Sequence, residues 1–206
     1  GHTANNYDAT CQSMKIFWNK IPDKYKLDIT HIGHWSGTGL VSFNTNNIIK
    51  LDSNNIPSKI FQTWEHANIE PEFQQIINKW KDNNPDYEYI FHDAEQRVKF
   101  IQDNFKENVL NAYKKIIPGA YKCDLWRYCV LYIYGGFYAD IDTLCMGKLN
   151  NLTNKNIEFI VPIDLNINPR EGEHNLACGF IGSVPKSPIL LDAIDRIVFN
   201  VENNNI

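Results

Sequence analysis

The segment that most constrains the fold runs from residue 117 to residue 142 and joins a long apolar stretch to two aspartates. Pro118-Gly119 is a helix start signal and Gly135-Gly136 is a stop signal, so the residues between them predict one helix. Most of these residues are aliphatic or aromatic, which predicts a buried helix. The chain therefore has to turn from a buried helix directly into an apolar segment that ends in charged residues.

Two aspartates, Asp140 and Asp142, lie two residues apart at the end of this segment. If residues 137–142 are extended, both carboxylates share a face, Tyr138 continues their row and Ile141 faces the core. Carboxylates about 4 Å apart repel by roughly 4 kcal/mol at an effective dielectric constant of about 20, so a fold keeps such a pair by sharing a proton or binding a cation. Hard divalent cations fit best, which favours Mg²⁺ or Mn²⁺ with room for waters and substrate phosphates.

Two charged residues, Asp124 and Arg127, interrupt the predicted helix. They are three residues apart and therefore neighbours on one helical face, in a stretch that is otherwise apolar or aromatic. Such charges need partners, and two interpretations are open. The pair forms a structural salt bridge, or both side chains reach into a cleft and bind hydroxyl groups of a ligand. Beside the aspartates at 140 and 142, the cleft interpretation is favoured.

Strands alternate with helices along most of the chain. Four segments predict strands, at residues 59–64, 87–91, 156–162 and 177–181. One helix is predicted near Pro71, one after Asp93 as its cap and continuing with breaks to Tyr113, and a last one over residues 188–201. This alternation predicts an α/β fold with ligands at the carboxyl edge of its sheet.

Composition limits the size of the fold and its partners. At 206 residues with 43% hydrophobic content, the chain can bury one sizeable core, so a single domain is expected. A net charge of -4 argues against an electrostatic nucleic-acid binder. The cysteines are odd in number and scattered, which predicts buried thiols rather than disulfides or a zinc site; they are Cys11, Cys123, Cys129, Cys145 and Cys178.

Three blocks of sequence carry a resemblance to a known family: residues 56–64 (IPSKIFQTW), residues 80–89 (WKDNNPDYEY) and residues 120–142 with the Asp-Ile-Asp motif. In this order they resemble the glycosyltransferases with a DXD sugar-binding region, family 32. That family includes Och1-like and inositol-phosphoceramide mannosyltransferases, and the clostridial glucosylating toxins are distant relatives. The resemblance implies a GT-A type nucleotide-diphosphosugar transferase fold, a mixed and mostly parallel sheet flanked by helices.

The resemblance implies a catalytic domain over residues 56–206. Residues 1–55 do not match the family and are expected to form an N-terminal extension, with one helix around residues 14–18. Relatives extend further and supply another metal ligand from a C-terminal segment. Two alternatives are therefore open: the catalytic domain lacks its C-terminal end here, or water and the diphosphate complete the metal site.

The resemblance also implies roles for residues of the first two strands. Trp64 matches the tryptophan that stacks on the nucleotide base in relatives, and the other interpretation is an ordinary core tryptophan. Gln62, on the same strand face, would hydrogen-bond the base or the ribose. Asp93 would touch the nucleoside or only cap the following helix.

Residues of the third block would form the catalytic group. Asp124 and Arg127 match residues that grip hydroxyl groups of the donor sugar, a task suited to an acceptor beside a fork-shaped donor. Tyr138 would lie near the donor sugar. Asp140 would contact the ribose and support the metal, and Asp142 would bind the metal directly.

The implied activity is transfer of a hexose from GDP-mannose or a UDP-hexose to a hydroxyl of a glycan, glycolipid or protein, with retention of the anomeric configuration. Mn²⁺ or Mg²⁺ would neutralise charge on the departing nucleoside diphosphate. Two alternatives are a non-catalytic nucleotide-sugar-binding module and a haloacid-dehalogenase-like phosphatase, whose Asp-x-Asp-x-Thr motif is similar to residues 140–143. That motif normally sits early in its domain and is followed by an adjacent acidic pair, which does not follow here.

Downstream of the third block the resemblance weakens. His174, Asn175 and Ser183 are polar residues near a predicted strand beside the cleft, and Ser187-Pro188 stands where relatives show a histidine-proline pair. No run of about eighteen apolar residues and no signal peptide is found. A cytoplasmic location is expected for the chain as it stands, and a Golgi-lumenal or membrane-associated one if an anchor precedes it.

Overall fold

The computed structural model describes residues 26–28, 39–41, 55–153, 157–164 and 175–204. Two short antiparallel strands, β1 (Lys26–Asp28) and β2 (Gly39–Val41), lie in the segment expected to be an N-terminal extension. The helix predicted around residues 14–18 lies outside the described residues. The separation of residues 1–55 from the catalytic domain stays a prediction.

A five-stranded mixed sheet forms the centre of the structure. After β1 and β2 the strands are β3 (Lys59–Thr63), β4 (Glu88–His92), β5 (Gly136–Ala139), β6 (Phe159–Ile160), β7 (Ile163–Asp164), β8 (Asn175–Leu176) and β9 (Phe180–Ser183). The sheet order is β4-β3-β5-β9-β6, and β7 pairs with β8 separately. Strand β3 runs parallel to β4 and β5, whereas β9 is antiparallel to β5 and β6. The predicted α/β class and mixed sheet are therefore confirmed.

Among the described residues, five α-helices flank this sheet. They are α1 (Pro71–Asn83), α2 (Ala94–Asn104), α3 (Glu107–Lys115), α4 (Gly119–Tyr134) and α5 (Pro188–Glu202), and Leu149–Asn151 forms a 3-10 turn. Proline starts α1 and α5, because its missing N–H would have no partner in the first turn of any helix. The helices predicted within residues 55–153 and 175–204 are present, and the break expected before Tyr113 separates α2 from α3.

The sheet separates two hydrophobic clusters because side chains alternate along its strands. On one face Phe61 and Tyr138 pack with α2, α3, α4 and α5. On the other face Ile60 and Phe137 pack with Trp80 of α1 and with the chain that follows β5. Both faces of the central strands are thus covered, which explains why apolar residues stand on both faces of β3 and β5.

Helix α4 is enclosed on all sides in its middle part, where every residue from 125 to 131 is buried. This confirms the buried helix predicted from its composition. Its first residue, Gly119, lies beside Glu65 just after β3, and Arg127 reaches Asp140 just after β5. The first half of α4 therefore borders the edge of the sheet at which β3, β4 and β5 end.

The turn from α4 into β5 needs both of its glycines. Gly135 has a φ of 62° and Gly136 a φ of 105°, which other residues rarely adopt. A Cβ at Gly136 would lie 2.8 Å from the main-chain oxygen of Lys59, and one at Gly135 would lie 2.7 Å from Pro185. The predicted Gly-Gly stop is confirmed, and it also allows β5 to approach β3.

The expectation of an extended chain through residue 142 is wrong. Strand β5 ends just before Asp140, and the Thr143 N–H donates to the Asp140 carbonyl (2.9 Å) to close a turn. Helix α1 holds the chain in this turn, because the Trp80 indole donates to the Thr143 carbonyl (2.7 Å). Asp140 and Asp142 therefore do not share a strand face, although Ile141 is buried as predicted.

Three cysteines of the described part of the chain, Cys123, Cys129 and Cys145, are free thiols. Cys129 and Cys145 are buried, whereas Cys123 and Cys178 are half-buried. This agrees with the expected buried thiols, and Cys11 lies outside the described residues.

Candidate functional site

Polar side chains gather where β3, β4 and β5 end. Parallel strands end at one edge, and the register pairs Thr63 with His92 at the last residues of β3 and β4. Trp64, Asp93 and Asp140 are the first residues after these three strands. The sheet therefore brings together three predicted site residues that are far apart in the sequence.

Arg127 is the centre of the site. Its Nη2 lies 2.9 Å from Oδ1 of Asp124 and 3.1 Å from Oδ1 of Asp140. Its Nη1 donates to the carbonyl of Cys178, and its guanidinium lies 4.6 Å from the ring centroid of Tyr138. Only 6% of the side chain is exposed. Arg127 thus ties α4 to the end of β5 and to the loop before β9, and the predicted salt bridge with Asp124 exists.

Asp140 is held from three directions. Its Oδ1 accepts a second hydrogen bond from the Tyr138 hydroxyl (2.6 Å), and its main-chain N–H donates to the carbonyl of Gly179 (2.8 Å). A Cβ at Gly179 would come within 2.7 Å of Oδ2, so the absence of a side chain there leaves space for the carboxylate. The Asp140 side chain remains 37% exposed, which leaves it accessible to solvent.

Asp142 differs from Asp140 because it is exposed. No ion pair or hydrogen bond joins its carboxylate to the residues that the structure describes, so this oxygen pair is free to bind a ligand. No group of three or more His, Cys, Asp or Glu among the described residues forms a complete metal site. The donor set fits a hard cation nevertheless, since Mg²⁺ and Mn²⁺ are commonly bound by one or two carboxylates together with waters and substrate phosphates.

Burial controls the protonation of the site. It raises the pKa of the Asp124 carboxyl, the charge of Arg127 opposes this shift, and Asp140 adds to it. Burial alone would lower the pKa of Arg127, but Tyr138, Asp140 and Asp124 raise it overall, so the guanidinium stays charged. Burial also raises the pKa of Tyr138 well above its usual value, so its hydroxyl keeps the proton that it donates to Asp140.

The guanidinium of Arg127 has one unused donor. Its Nε is buried and has no hydrogen-bond partner among the described residues. The 26% exposed carboxylate of Asp124, beside this fixed cation, is suited to accepting hydrogen bonds from hydroxyl groups. The salt bridge and the cleft interpretation are therefore compatible.

Gln62 lies at this edge but is completely buried. Its Nε2 donates to the Asp140 carbonyl (3.0 Å), and its Oε1 accepts from the Tyr89 hydroxyl (2.9 Å). Both ends of the amide are therefore occupied by protein groups. The expected contact of Gln62 with a base or ribose stays a prediction.

Trp64 is half-buried and packs against two aromatic rings. Its ring lies 4.9 Å from that of Phe73 and 6.5 Å from that of His66. Its Nε1 is buried without a hydrogen-bond partner among the described residues. Trp64 is thus not enclosed in the core, and its stacking on a nucleotide base stays a prediction.

Asp93 is the N-cap of α2. Its Oδ1 accepts from the Gln96 N–H (2.9 Å), and the Gln96 side chain accepts from the Asp93 N–H (2.9 Å), which is a complete capping box. The capping interpretation is confirmed, and a contact with the nucleoside stays a prediction.

Of the residues predicted downstream, Ser183 lies elsewhere. Strand β9 runs antiparallel to β5, so Ser183 pairs with Gly136 at the start of β5, opposite the edge that carries Asp140. The other end of β9 lies next to the candidate site, where Phe180 pairs with Ala139 just before Asp140. His174 lies outside the described residues, and of Asn175 only the main chain, in β8, is described.

A second buried cation, Arg97, was not identified from the sequence. It is completely buried and donates to five groups around the end of β3, which are the Tyr113 hydroxyl, the Thr63 hydroxyl, the Trp64 carbonyl, Cys123 Sγ and Glu65 Oε1. A signal was present, since Arg97 is three residues before Phe100 and four before Ile101, on the apolar face of its helix.

The comparisons with known proteins agree with this fold. The solved structure titled "PaToxG Glycosyltransferase" superposes with a TM-score of 0.50 at 18% identity, covering 73% of this chain and 63% of that one. The fold is thus that of a glycosyltransferase of the GT-A type. Residues 70–158 match the family model "Glycosyltransferase sugar-binding region containing DXD motif". The chain therefore carries the sugar-binding region of the DXD glycosyltransferases, and the resemblance found in the sequence is confirmed.

Curated relatives are named as glycosyltransferases. "Inositol phosphoceramide mannosyltransferase 2" of Schizosaccharomyces pombe is 32% identical over 165 residues, 76% of this chain and 43% of that protein. "Initiation-specific alpha-1,6-mannosyltransferase" of the same organism is 29% identical over 157 residues, 69% of this chain and 39% of that protein. The chain spans less than half the length of these relatives.

In the part of the chain that the structure describes, none of the helices has the length and apolar character needed to cross a membrane.

Proposed function

We propose that this chain transfers a hexose from a nucleotide-diphosphate sugar to an acceptor hydroxyl. The observation that carries the proposal is the arrangement of Arg127 between Asp124 and Asp140, next to the exposed Asp142, at the carboxyl edge of the sheet. In α/β sheets this edge is where nucleotide ligands bind. The family match over residues 70–158 supports the same reaction class.

Arg127 and Asp124 would hold the donor sugar. A guanidinium offers donors in a fixed fork, and the neighbouring carboxylate accepts from sugar hydroxyls. Because Arg127 is already fixed by Asp140 and Tyr138, little side-chain freedom would be lost on binding. The two residues would therefore orient the sugar towards the acceptor.

Asp140 and Asp142 would hold the metal ion, Mn²⁺ or Mg²⁺. Such an ion supplies Lewis-acid catalysis when bound, because it neutralises charge that develops on a leaving diphosphate. The exposed carboxylate of Asp142 would be a direct ligand. The carboxylate of Asp140, held on one oxygen by Arg127 and Tyr138, would support the metal and contact the ribose.

The donor is GDP-mannose or a UDP-hexose, and the acceptor is a glycan, a glycolipid or a protein. The names of two relatives contain mannosyltransferase, which favours mannose as the sugar. Retention of the anomeric configuration follows from the family resemblance and is part of the proposal.

The first test is binding of UDP and GDP by calorimetry with Mn²⁺ or with excess chelator. Binding is expected only with the cation and is expected to be lost in Asp142→Ala, because a diphosphate and this carboxylate would share the metal. Asp82→Ala, an exposed aspartate on α1, is the matched control and should bind as the parent does. Equal affinity with chelator and with Mn²⁺ would contradict the proposal.

A hydrolysis assay on nucleotide sugars separates the proposed enzyme from its alternatives. Slow release of free sugar from UDP- or GDP-hexoses is expected, since water can replace the acceptor. Binding without any hydrolysis or transfer would indicate the non-catalytic module, and hydrolysis of sugar phosphates would indicate the phosphatase.

A further inference from the structure

Gln62 is a polar side chain that has no contact with solvent. It lies on β3 with 0% exposure, on the same strand face as Ile60, which packs in the cluster with Phe137 and Trp80. A buried amide in apolar surroundings is retained only where its polar atoms are paired. Its partners therefore show what it does.

The orientation of the Gln62 amide is determined by its neighbours. The Asp140 carbonyl can only accept, so the amide NH₂ group has to face it, at 3.0 Å. The amide oxygen then faces the Tyr89 hydroxyl, which donates to it at 2.9 Å. Tyr89 lies on β4, so the three residues link β4, β3 and the end of β5 across the sheet.

The Asp140 carbonyl also closes the turn that carries both aspartates. It accepts from Gln62 Nε2 and from the Thr143 N–H (2.9 Å), so two donors share one oxygen. The other end of the turn is held separately, where the Trp80 indole donates to the Thr143 carbonyl. Without Gln62, the first aspartate would lose the side-chain bond that attaches its main chain to β3.

We propose that Gln62, held by Tyr89, is a positioning residue that fixes the turn at residues 140–143 and does not contact the nucleotide. This differs from the role that the family resemblance implies for Gln62. The effect on the turn is independent of any ligand, whereas the effect on metal binding rests on the proposed function.

Hydrogen exchange of the Thr143 amide tests the effect on the turn in the free protein. Gln62→Met keeps the length and the apolar shape of the side chain but has no donor. We expect the Thr143 amide to exchange about fivefold faster in this variant, the effect of one ordinary hydrogen bond. Tyr89→Phe should also accelerate exchange of the Thr143 amide, because the Gln62 amide then loses the hydrogen bond from the Tyr89 hydroxyl.

Tyr87→Phe is the matched control. The Tyr87 hydroxyl donates to Asn150 Oδ1 (2.8 Å) and not to Gln62, so its removal should leave the Thr143 amide unchanged. Unchanged exchange in folded Gln62→Met would overturn the proposal, as would equal acceleration in the control. If Gln62→Met does not fold, Tyr89→Phe decides the question by the same criteria.

Binding of Mn²⁺ with inorganic pyrophosphate, compared with Mn²⁺ and UDP or GDP, tests the effect on the site. If Gln62 is a positioning residue, Gln62→Met should weaken the binding of pyrophosphate and of the nucleotide about equally, since pyrophosphate lacks both base and ribose. Loss confined to UDP or GDP would mean that Gln62 touches the nucleotide, and the proposal would be wrong. If the parent binds neither ligand, the proposed function fails, while the exchange experiment still decides the role of Gln62.

Discussion

Arg127 shows how single residues of the site depend on one another. Its guanidinium is almost fully buried between two carboxylates, and among the residues that the structure describes no further ion pair joins this group. Removing one partner of a buried ion pair typically destabilises a protein by about 3–5 kcal/mol, because a charge is left uncompensated. Conservative changes are therefore needed to separate the role of these residues in binding from their role in folding.

Asp124→Asn and Arg127→Lys should weaken binding of a nucleotide sugar more than binding of the plain nucleoside diphosphate. Only sugar hydroxyls lie within their proposed reach, and hydrogen bonds to charged groups are worth about 1.5–3 kcal/mol. Calorimetry with UDP-hexoses or GDP-mannose against UDP or GDP measures the difference. Asp195→Asn and Arg196→Lys, exposed on α5, are the controls. Equal losses for the sugar-bearing and plain ligands would exclude the assigned role.

Trp64→Ala should reduce nucleotide affinity by about 1–3 kcal/mol, the value of one base stacked on an aromatic ring. Its melting temperature should stay close to that of the parent, because Trp64 is only half-buried. The contrasting variant is Trp80→Phe. Because Trp80 is only 3% exposed, the melting temperature of this variant should be markedly lower than that of the parent. Fluorescence of the parent should change on adding nucleotide with Mn²⁺, and this change should disappear in Trp64→Ala. A folded Trp64→Ala protein with the affinity of the parent would refute stacking.

At the scale of elements, the connections between helices and strands place the site. The capping box at Asp93 starts α2 directly after β4, and Gly135 and Gly136 end α4 directly before β5. These short connections leave little freedom in how α4 packs on the sheet. Arg127 consequently reaches Asp140 across the two elements.

Gly136→Ala should destabilise the fold by at least about 2 kcal/mol, because a residue with a side chain would be strained at a φ of 105° and its Cβ would lie 2.8 Å from the Lys59 carbonyl. Gly147→Ala is the control, since no atom lies within 4 Å of the added Cβ, and a change of only about 0.5 kcal/mol is expected. Urea unfolding of both variants measures the difference. Similar stabilities would show that the turn relaxes more easily than the structure indicates.

At the scale of the whole molecule, the free energy of unfolding depends on pH through titratable groups that are partly buried at the edge of the sheet. His92, the last residue of β4, packs 5.3 Å from Trp126 and 6.0 Å from Phe100, ring to ring. Burial lowers its pKa below 6.5; the charge of Asp93 opposes this shift and that of Arg97 adds to it. The folded state therefore binds a proton on His92 less readily than the unfolded chain does.

The free energy of unfolding should thus fall as pH drops below 6.5, because protonation of His92 then favours the unfolded chain. The stabilising contribution of the neutral His92 is fully present above this pH. His92→Phe keeps an aromatic ring and removes the titration. Urea unfolding at several pH values should show the stability of the parent decreasing relative to this variant as pH falls from 7 to 5. If the difference in unfolding free energy between the two proteins stays constant with pH, His92 is not buried as a neutral imidazole.

The elements of the fold were largely predictable, because local patterns determine them. The apolar content of residues 117–134, the glycines after them and the cap at Asp93 each act within a few residues of chain, and all three predictions are confirmed. The pairing of Asp124 with Arg127 was predictable for the same reason, since three residues on a helix bring two side chains together.

Only the tertiary structure decided how these elements meet. The sequence could not show that β5 ends before Asp140, because the turn depends on the bond from Trp80 of α1 to Thr143, 63 positions away in the chain. The bonds of Gln62 to Tyr89 and to Asp140, and the enclosure of Arg97, likewise arise from strands and helices that are adjacent only after folding. The chain by itself thus determined which residues could be proposed for a site, whereas long-range hydrogen bonds, which no local periodicity encodes, decided which of them stay exposed and which are held by others.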